Sequence, residues 1–422
     1  MDKKLRNLTL KLIVRSNYFK TYFFASLLTA FGLIPVLRSS WLGDDWPISQ
    51  TPYWIQWRYG DVDFHKILQE ALYWNDQWMR GAGRFYPLTW IESRFTFAYL
   101  TEMQEYKIFQ YSLLLVVAFL LTFYTFRMTN SHAQSLITLI LLPIFLQFRR
   151  DFDPHVGFAN MLSSLLIKFF IAAILLTYVN EQKKVRYRIL ISIISALFYL
   201  AALCTYEFAF LLLPALLLSI RQKEVNIESE TPTDRFKSIL GKLQSPYLIP
   251  LIAVWISYGA FVFLHLRPKA TAVSGAYSLG FSTESIWVFF SQLFTAVPLI
   301  TLRMDDLKFI TQNALLLALS FILVQYLINK ITPKIKTGSQ ESKSKNEKTT
   351  SGHVLLISFN LIAAPGLMLA MQPVWWGRAD VFHSYLGVMI SEIGFTIFIA
   401  HIFTKFLADM KSNKRINPKS KI

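Results

Sequence analysis

The sequence predicts an all-α fold, a polytopic bundle of about ten transmembrane helices, and three observations carry that prediction. The 422 residues are 54% hydrophobic and only 16% charged, with a mean hydropathy of +0.38, whereas a soluble chain of this length carries about 25% charge. Apolar stretches long enough to cross a bilayer recur along the chain, since about 17–25 helical residues span roughly 30 Å of hydrocarbon. The Lys and Arg residues also alternate between rich and poor loops, as they do in membrane proteins. The 36 Phe and 11 Trp exclude disorder. One cysteine, Cys204, excludes a disulfide framework and any Cys-based metal site.

Taken in order, a basic segment, 1–20, precedes the first span at 21–37. No small-x-small cleavage site follows, so this span is expected to be a retained helix rather than a signal peptide. Residues 38–105 form a long loop that opens with Gly43-Asp44-Asp45-Trp46-Pro47. Within it, Phe64, Ile67, Leu68, Ala71, Leu72, Trp78 and Met79 recur at helical spacing beside charged residues. That pattern predicts an interfacial helix in the headgroup layer. Spans follow at 108–126, 132–148 and 159–179. The apolar run 189–220 is too long for one crossing and reads as a hairpin with Tyr206-Glu207 at its turn and Pro214 in the returning arm. Spans 246–266, 311–329, 353–371 and 387–404 complete ten, within a transmembrane domain running from 21 to 410. The segment 332–351 has no apolar face and is expected to be a disordered cytoplasmic linker; 411–422 is a basic cytoplasmic tail.

With a cytoplasmic N-terminus, the inward segments hold 28 basic and 9 acidic residues, and the outward ones 14 and 16. Counting the apolar run 285–302 as a crossing would put the Lys-rich stretch 333–350 outside, so that run is read as interfacial or re-entrant. The net charge of +17 thus sets topology and faces anionic inner-leaflet lipid; it calls for no nucleic acid.

Polar groups suited to chemistry gather in the outward loops. They are Asp44-Asp45, Arg84 with Tyr86, Arg149-Arg150 with Asp151 and Asp153, Tyr206-Glu207, Arg267-Pro268-Lys269, and Arg378 leading to His383. Lys168 and Glu392 lie inside spans, where an ionisable residue is either functional or half of a structural pair, here with each other. Each outward group also has a plainer reading. The Asp pair suits a turn or cap before Pro47, Arg84 and Arg378 suit interfacial anchors, His383 a structural histidine, and the Arg149–Asp153 group mutual surface pairs.

Many spans, a long first external loop with interfacial helices, and an acidic pair soon after the first span together resemble the GT-C superfamily of integral-membrane glycosyltransferases. That superfamily includes protein O-mannosyltransferases, aminoarabinose transferases and oligosaccharyltransferases. Gly83-Arg84-Phe85-Tyr86-Pro87-Leu88 and the Tyr206-Glu207 turn are similar to features of bacterial GtrII-like or uncharacterised members. The resemblance covers nearly the whole chain. It implies transfer of a sugar from a polyprenyl-phosphate-linked donor to a glycan, lipid or protein acceptor on the external face, in a bacterial inner membrane with a periplasmic site. It further implies Asp44 as general base, with Asp45 orienting it or sharing a divalent cation, Mg or Mn, used by some members. Arg84, Tyr86, Glu207, Arg378, His383, Arg149 and Arg150 then form the substrate and donor-phosphate set. The residue types suit that chemistry: a carboxylate takes the proton of the attacking hydroxyl, guanidinium groups meet the departing phosphate, and a single inverting displacement needs only one base. Two other classes stay open, a transporter or flippase of lipid-linked sugars and a non-catalytic subunit of a polysaccharide assembly system. The first calls for polar groups at the bilayer midplane and broken helices in matched halves; in the second the Asp pair would tolerate mutation.

Overall fold

In the computed structural model of the chain, the described residues are 3–39, 45–146, 159–220, 245–270, 280–295, 297, 322, 340–373, 376 and 387–416. Every regular element among them is helical. The α-helices are α1 (Lys3–Leu33), α2 (Asp45–Ser49), α3 (Thr51–Tyr59), α4 (Phe64–Ala82), α5 (Pro87–Tyr99), α6 (Met103–Thr129) and α7 (His132–Phe145), then α8 (Ala159–Val179), α9 (Val185–Thr205), α10 (Leu213–Leu218), α11 (Ile249–Gly259), α12 (Thr283–Thr295), α13 (Gln340–Ala370) and α14 (Val388–Ile416). Seven helical segments are long and apolar enough to cross a membrane: Tyr18–Arg38, Met103–Thr129, Asn160–Val179, Val185–Thr205, Pro246–Lys269, Gly352–Ala370 and Val388–Leu407. The chain is a multi-pass α-helical membrane protein.

Two of the ten expected spans are shorter than expected. The helix α7 has 14 residues, about 21 Å at 1.5 Å per residue, against roughly 30 Å of hydrocarbon. The returning arm of the 189–220 run is a 3-10 turn, Glu207–Leu212, followed by α10. The expected span 311–329 lies outside the described residues. Gln340 to Ser351, expected to be linker, continues α13 as helix; Gln, Glu and Lys are good helix formers, and an apolar face is not needed to extend a helix already nucleated by its membrane half.

Large apolar side chains cover the outside of the bundle as well as filling its interior. Phe19, Phe23, Phe24 and Phe31 of α1 are exposed. In α12, Ile286, Trp287, Phe290 and Phe294 face outward while Ser285, Ser291, Gln292 and Thr295 are buried against the protein. Hydrocarbon is as apolar as Phe, so nothing drives these rings inward, and small or polar residues supply part of the helix contact. Buried hydroxyls bond carbonyls one turn back, as Thr122 does to Ala118 (2.6 Å) and Ser358 to Val354 (2.8 Å). Close packing relies on glycine where α13 crosses α14: a Cβ on Gly394 would sit 2.8 Å from the Ile362 backbone nitrogen.

The helices share one end at which the first loop docks. The start of α6, the start of α8, the end of α9 and the end of the segment Pro246–Lys269 all meet α4 and α5 there. Phe97 stacks on Tyr106 at 4.5 Å, Thr89 donates to the Thr205 carbonyl, and Tyr258 donates to the Phe85 carbonyl at 2.8 Å. At the opposite end His132 stacks on Tyr18 and Phe126, and Arg127 pairs with Glu181.

The amphipathic helix α4 is present, with its apolar positions divided between the protein and the outside. Asp63 caps it by accepting from the Lys66 N–H (2.9 Å). Ile67 and Ala71 are buried, while Phe64 and Leu72 are exposed. Glu70 takes the inner position because it has partners there: Arg58 at 3.0 Å and the Trp74 indole N–H at 2.7 Å. A buried carboxylate with two donors is tolerable, which hydropathy spacing alone does not register.

Candidate functional site

The site is assembled on the loop end of the bundle, and its first group depends on how α4 stops. Gly83 takes a left-handed φ of +63° and ends the helix. It also allows contact: a Cβ there would lie 2.6 Å from the Arg267 Cα. The next residue, Arg84, therefore projects into the bundle. Its Nη2 meets Glu207 Oε1 at 2.6 Å, and Arg267 Nη2 approaches Glu207 Oε2 at 3.5 Å. Glu207 is positioned because α9 breaks at Tyr206, whose extended backbone turns the chain into the 3-10 turn. The return is tight enough for Tyr199 to donate to the Ala209 carbonyl at 3.0 Å. Arg267 follows a π-helical stretch, Ala260–Leu266, directly after α11; such a stretch re-aims the residues that follow it and is frequent at functional sites.

Arg84 and Glu207 are buried and Arg267 is nearly so, with side-chain exposures of 8%, 3% and 11%. Two cations and one carboxylate leave a net positive node. The Arg84 guanidinium lies over Tyr86 (5.0 Å), Tyr206 (5.3 Å) and Trp78 (5.8 Å). Burial is the largest single influence and works against its charge, but Glu207, Tyr86 and Tyr206 together more than offset it and hold the Arg84 pKa well above the usual guanidinium value. A wall of rings continues along α4 and α5, with Trp90 stacked on Tyr86 (6.1 Å) and on Trp74 (5.8 Å). A second cation is set into it: Arg94 lies 5.4 Å from both Trp74 and Trp90 and donates to Thr51 Oγ1 at 2.7 Å. Burial lowers the Arg94 pKa to about 10, with Glu70 opposing that shift and Arg58 adding to it.

A second group forms one helical turn along α5. Glu92 accepts from Lys168 Nζ and from Ser164 Oγ, each at 2.5 Å. Lys168 also donates to Ser164 Oγ (2.5 Å) and Thr205 Oγ1 (2.7 Å), so its three N–H bonds are all placed. Side chains on a helix lean toward its N-terminus, and Lys168 accordingly reaches one turn back, to Ser164, at the loop end of α8. Of the two readings open for Lys168, a functional residue or a structural pair with Glu392, the pair does not form: its partner is Glu92, because the lysine extends to a carboxylate docked over the bundle end.

A third group surrounds Asp45, in the first turn of α2. It is 4% exposed and accepts from the Tyr106 hydroxyl (3.0 Å) and Gln110 Nε2 (3.5 Å). Gln110 in turn accepts from the buried Lys107 at 3.0 Å. The short helix α5 joins the three groups, through Thr89 and Glu92 to Thr205 and Lys168, and through Phe97 to Tyr106.

Of the residues singled out in the sequence, Arg84, Tyr86 and Glu207 come together as one node, and Asp45 lies at the same end of the bundle. Asp44, Arg149, Arg150, Arg378 and His383 lie outside the described residues. Glu92, Arg94 and the role of Arg267 were not read from sequence. The signal for Glu92 was a carboxylate three residues after Thr89 on a stretch otherwise rich in Trp, Phe and Tyr. Among the described residues, no three His, Cys, Asp or Glu side chains converge as a metal site. No family model, no curated protein and no solved structure matches this chain.

Proposed function

We propose that this chain is a membrane glycosyltransferase of the GT-C kind, moving a sugar from a polyprenyl-phosphate donor to a glycan, lipid or protein acceptor at the loop end of the bundle. The observation that carries this reading is the node of Arg84 and Arg267 on Glu207. Residues far apart in the chain are brought together with an excess of one positive charge, under helices suited to the headgroup layer. An anionic phosphate carried on a membrane-embedded chain is the ligand that such a node fits.

In the reaction, the acceptor oxygen attacks the anomeric carbon while the bond from that carbon to the phosphate oxygen breaks. The electron pair leaves on the phosphate, and the arginines stabilise that growing charge. A carboxylate takes the acceptor proton. Asp44 holds that role by resemblance, and Arg378, His383, Arg149 and Arg150 belong to the same outward loops in the sequence. A divalent ion at Asp44-Asp45 would act by orienting donor oxygens. The test is turnover of a panel of radiolabelled polyprenyl-phosphate hexoses and pentoses by the chain in lipid vesicles. Arg267→Met is expected to weaken donor use at least tenfold, with Arg267→Lys recovering only part, since a point charge does not replace a planar fork. Equal donor use by both variants would count against the phosphate role.

The accompanying topology is ten crossings, both termini cytoplasmic, α4 interfacial, and the loop end periplasmic in a bacterial inner membrane. Reporter fusions at Asp61 and Ser344 should give opposite sides, Asp61 external. Signals from the same side would contradict the placement of the whole site.

A further inference from the structure

We propose that Glu92 is the carboxylate that takes the acceptor proton, with Lys168 as the residue that positions it; this rests on the glycosyl-transfer reading above and assigns its base. Four carboxylates occupy the described part of the site, and one of them, Glu70, is fully buried between Arg58 and the Trp74 indole. Glu207 is 3% exposed and holds two arginines. Asp45 is 4% exposed and both of its oxygens are engaged, by Tyr106 and Gln110. A base must reach a hydroxyl of a substrate that enters from outside, and burial closes all three of these to it. The Glu92 side chain is 35% exposed. An ionised carboxylate has about four acceptor positions, and Ser164 and Lys168 occupy one on each oxygen.

The surroundings also fix the group for the task. Lys168 is 14% exposed and fully committed, to Glu92, Ser164 and Thr205. It fixes the carboxylate in one orientation. A carboxylate is a weak base, yet a weak base suffices in this reaction. The acceptor oxygen becomes strongly acidic as its bond to the anomeric carbon forms, so the proton moves late and downhill. The proton passes from the acceptor hydroxyl to an unoccupied acceptor position of the Glu92 carboxylate and then to water. The pair from the broken carbon–oxygen bond stays on the polyprenyl phosphate. Thr205 is followed directly by Tyr206 and Glu207, so the base and the arginine node are held by adjacent turns of one chain segment.

The assay uses the full chain in vesicles and the polyprenyl-phosphate sugars that the wild type turns over. Glu92→Gln is expected to lower transfer by about 10²–10⁴-fold while a donor-binding measurement stays unchanged. Glu92→Ala should be restored in part by added formate, a response that a purely structural carboxylate would not give. Should Glu92→Gln fold poorly beside an uncompensated Lys168, the double variant Glu92→Gln, Lys168→Gln carries the test, and it too must be slow. Wild-type transfer rates in Glu92→Gln, or a folded Glu92→Ala that formate does not rescue, overturn the assignment while leaving the transferase reading in place. A wild-type chain that transfers no sugar from the panel overturns both. Asp44→Asn, run in parallel, should retain more activity than Glu92→Gln; the reverse order returns the role to Asp44.

Discussion

Replacing Glu207 with alanine is expected to destabilise the protein by about 3–5 kcal/mol, the cost of removing one partner from a buried charge pair. The carboxylate is the shared counter-ion of Arg84 and Arg267, at 2.6 and 3.5 Å. Without it, two guanidinium groups confront each other in a space where all three side chains are nearly closed to solvent. Neither arginine can swing out freely, because Arg84 is walled by Trp78, Tyr86 and Tyr206 and the Arg267 backbone is pressed against Gly83. The loss is read as the fall in the folded fraction across a denaturant titration in detergent or nanodiscs. Adding Arg267→Met to Glu207→Ala should recover part of it, since one stranded cation is then removed. A Glu207→Ala protein as stable as wild type would mean that water or lipid headgroups already solvate the node, and that its burial does not set its energetics.

Gly83→Val is expected to cause the second large loss, in stability and donor use together. Two penalties add at this position. A β-branched residue at a φ of +63° is forced into left-handed backbone, which costs an L-residue roughly 1–2 kcal/mol. The new Cβ would also lie 2.6 Å from the Arg267 Cα, a backbone atom that can retreat only by displacing the end of the π-helical stretch. Moving Arg267 lengthens its already long 3.5 Å approach to Glu207. Gly83→Ala meets the same contact with less bulk and should fall between wild type and valine in both thermal midpoint and donor affinity. Gly60 is the control. It too has a positive φ, but nothing lies within 4 Å of the point a Cβ would occupy, so Gly60→Ala should show the backbone cost alone. If Gly83→Ala and Gly60→Ala behave alike, the close approach to Arg267 does not govern the site.

Much of the architecture was open to reading because a bilayer imposes a one-dimensional rule. A helix that crosses hydrocarbon must be apolar for about 20 residues, and that run is visible without knowing its neighbours. Seven of the expected spans are long apolar helices, and the break at Tyr206-Glu207 falls where the length of the 189–220 run required one. The same rule says little about short elements. The 14-residue α7 merged with the apolar residues after it, and the helical extension before the membrane half of α13 had no apolar face to reveal it.

By itself the sequence determined that this is an all-helical membrane protein with polar, chemically useful residues concentrated in its loops, because hydropathy and helix length are local properties. Tertiary structure alone decided which charges meet. Lys168 was legible as a costly charge within a span, but its partner was decided by the docking of α5 across the ends of α8 and α9, which brings Glu92 to it. Arg84 and Glu207 stood out separately, whereas Arg267 joined them only through the glycine turn at the end of α4 and the widened helix before it. Ion pairing falls off with distance in space and is indifferent to separation along the chain, so a site built from charges on four segments is settled only when those segments pack.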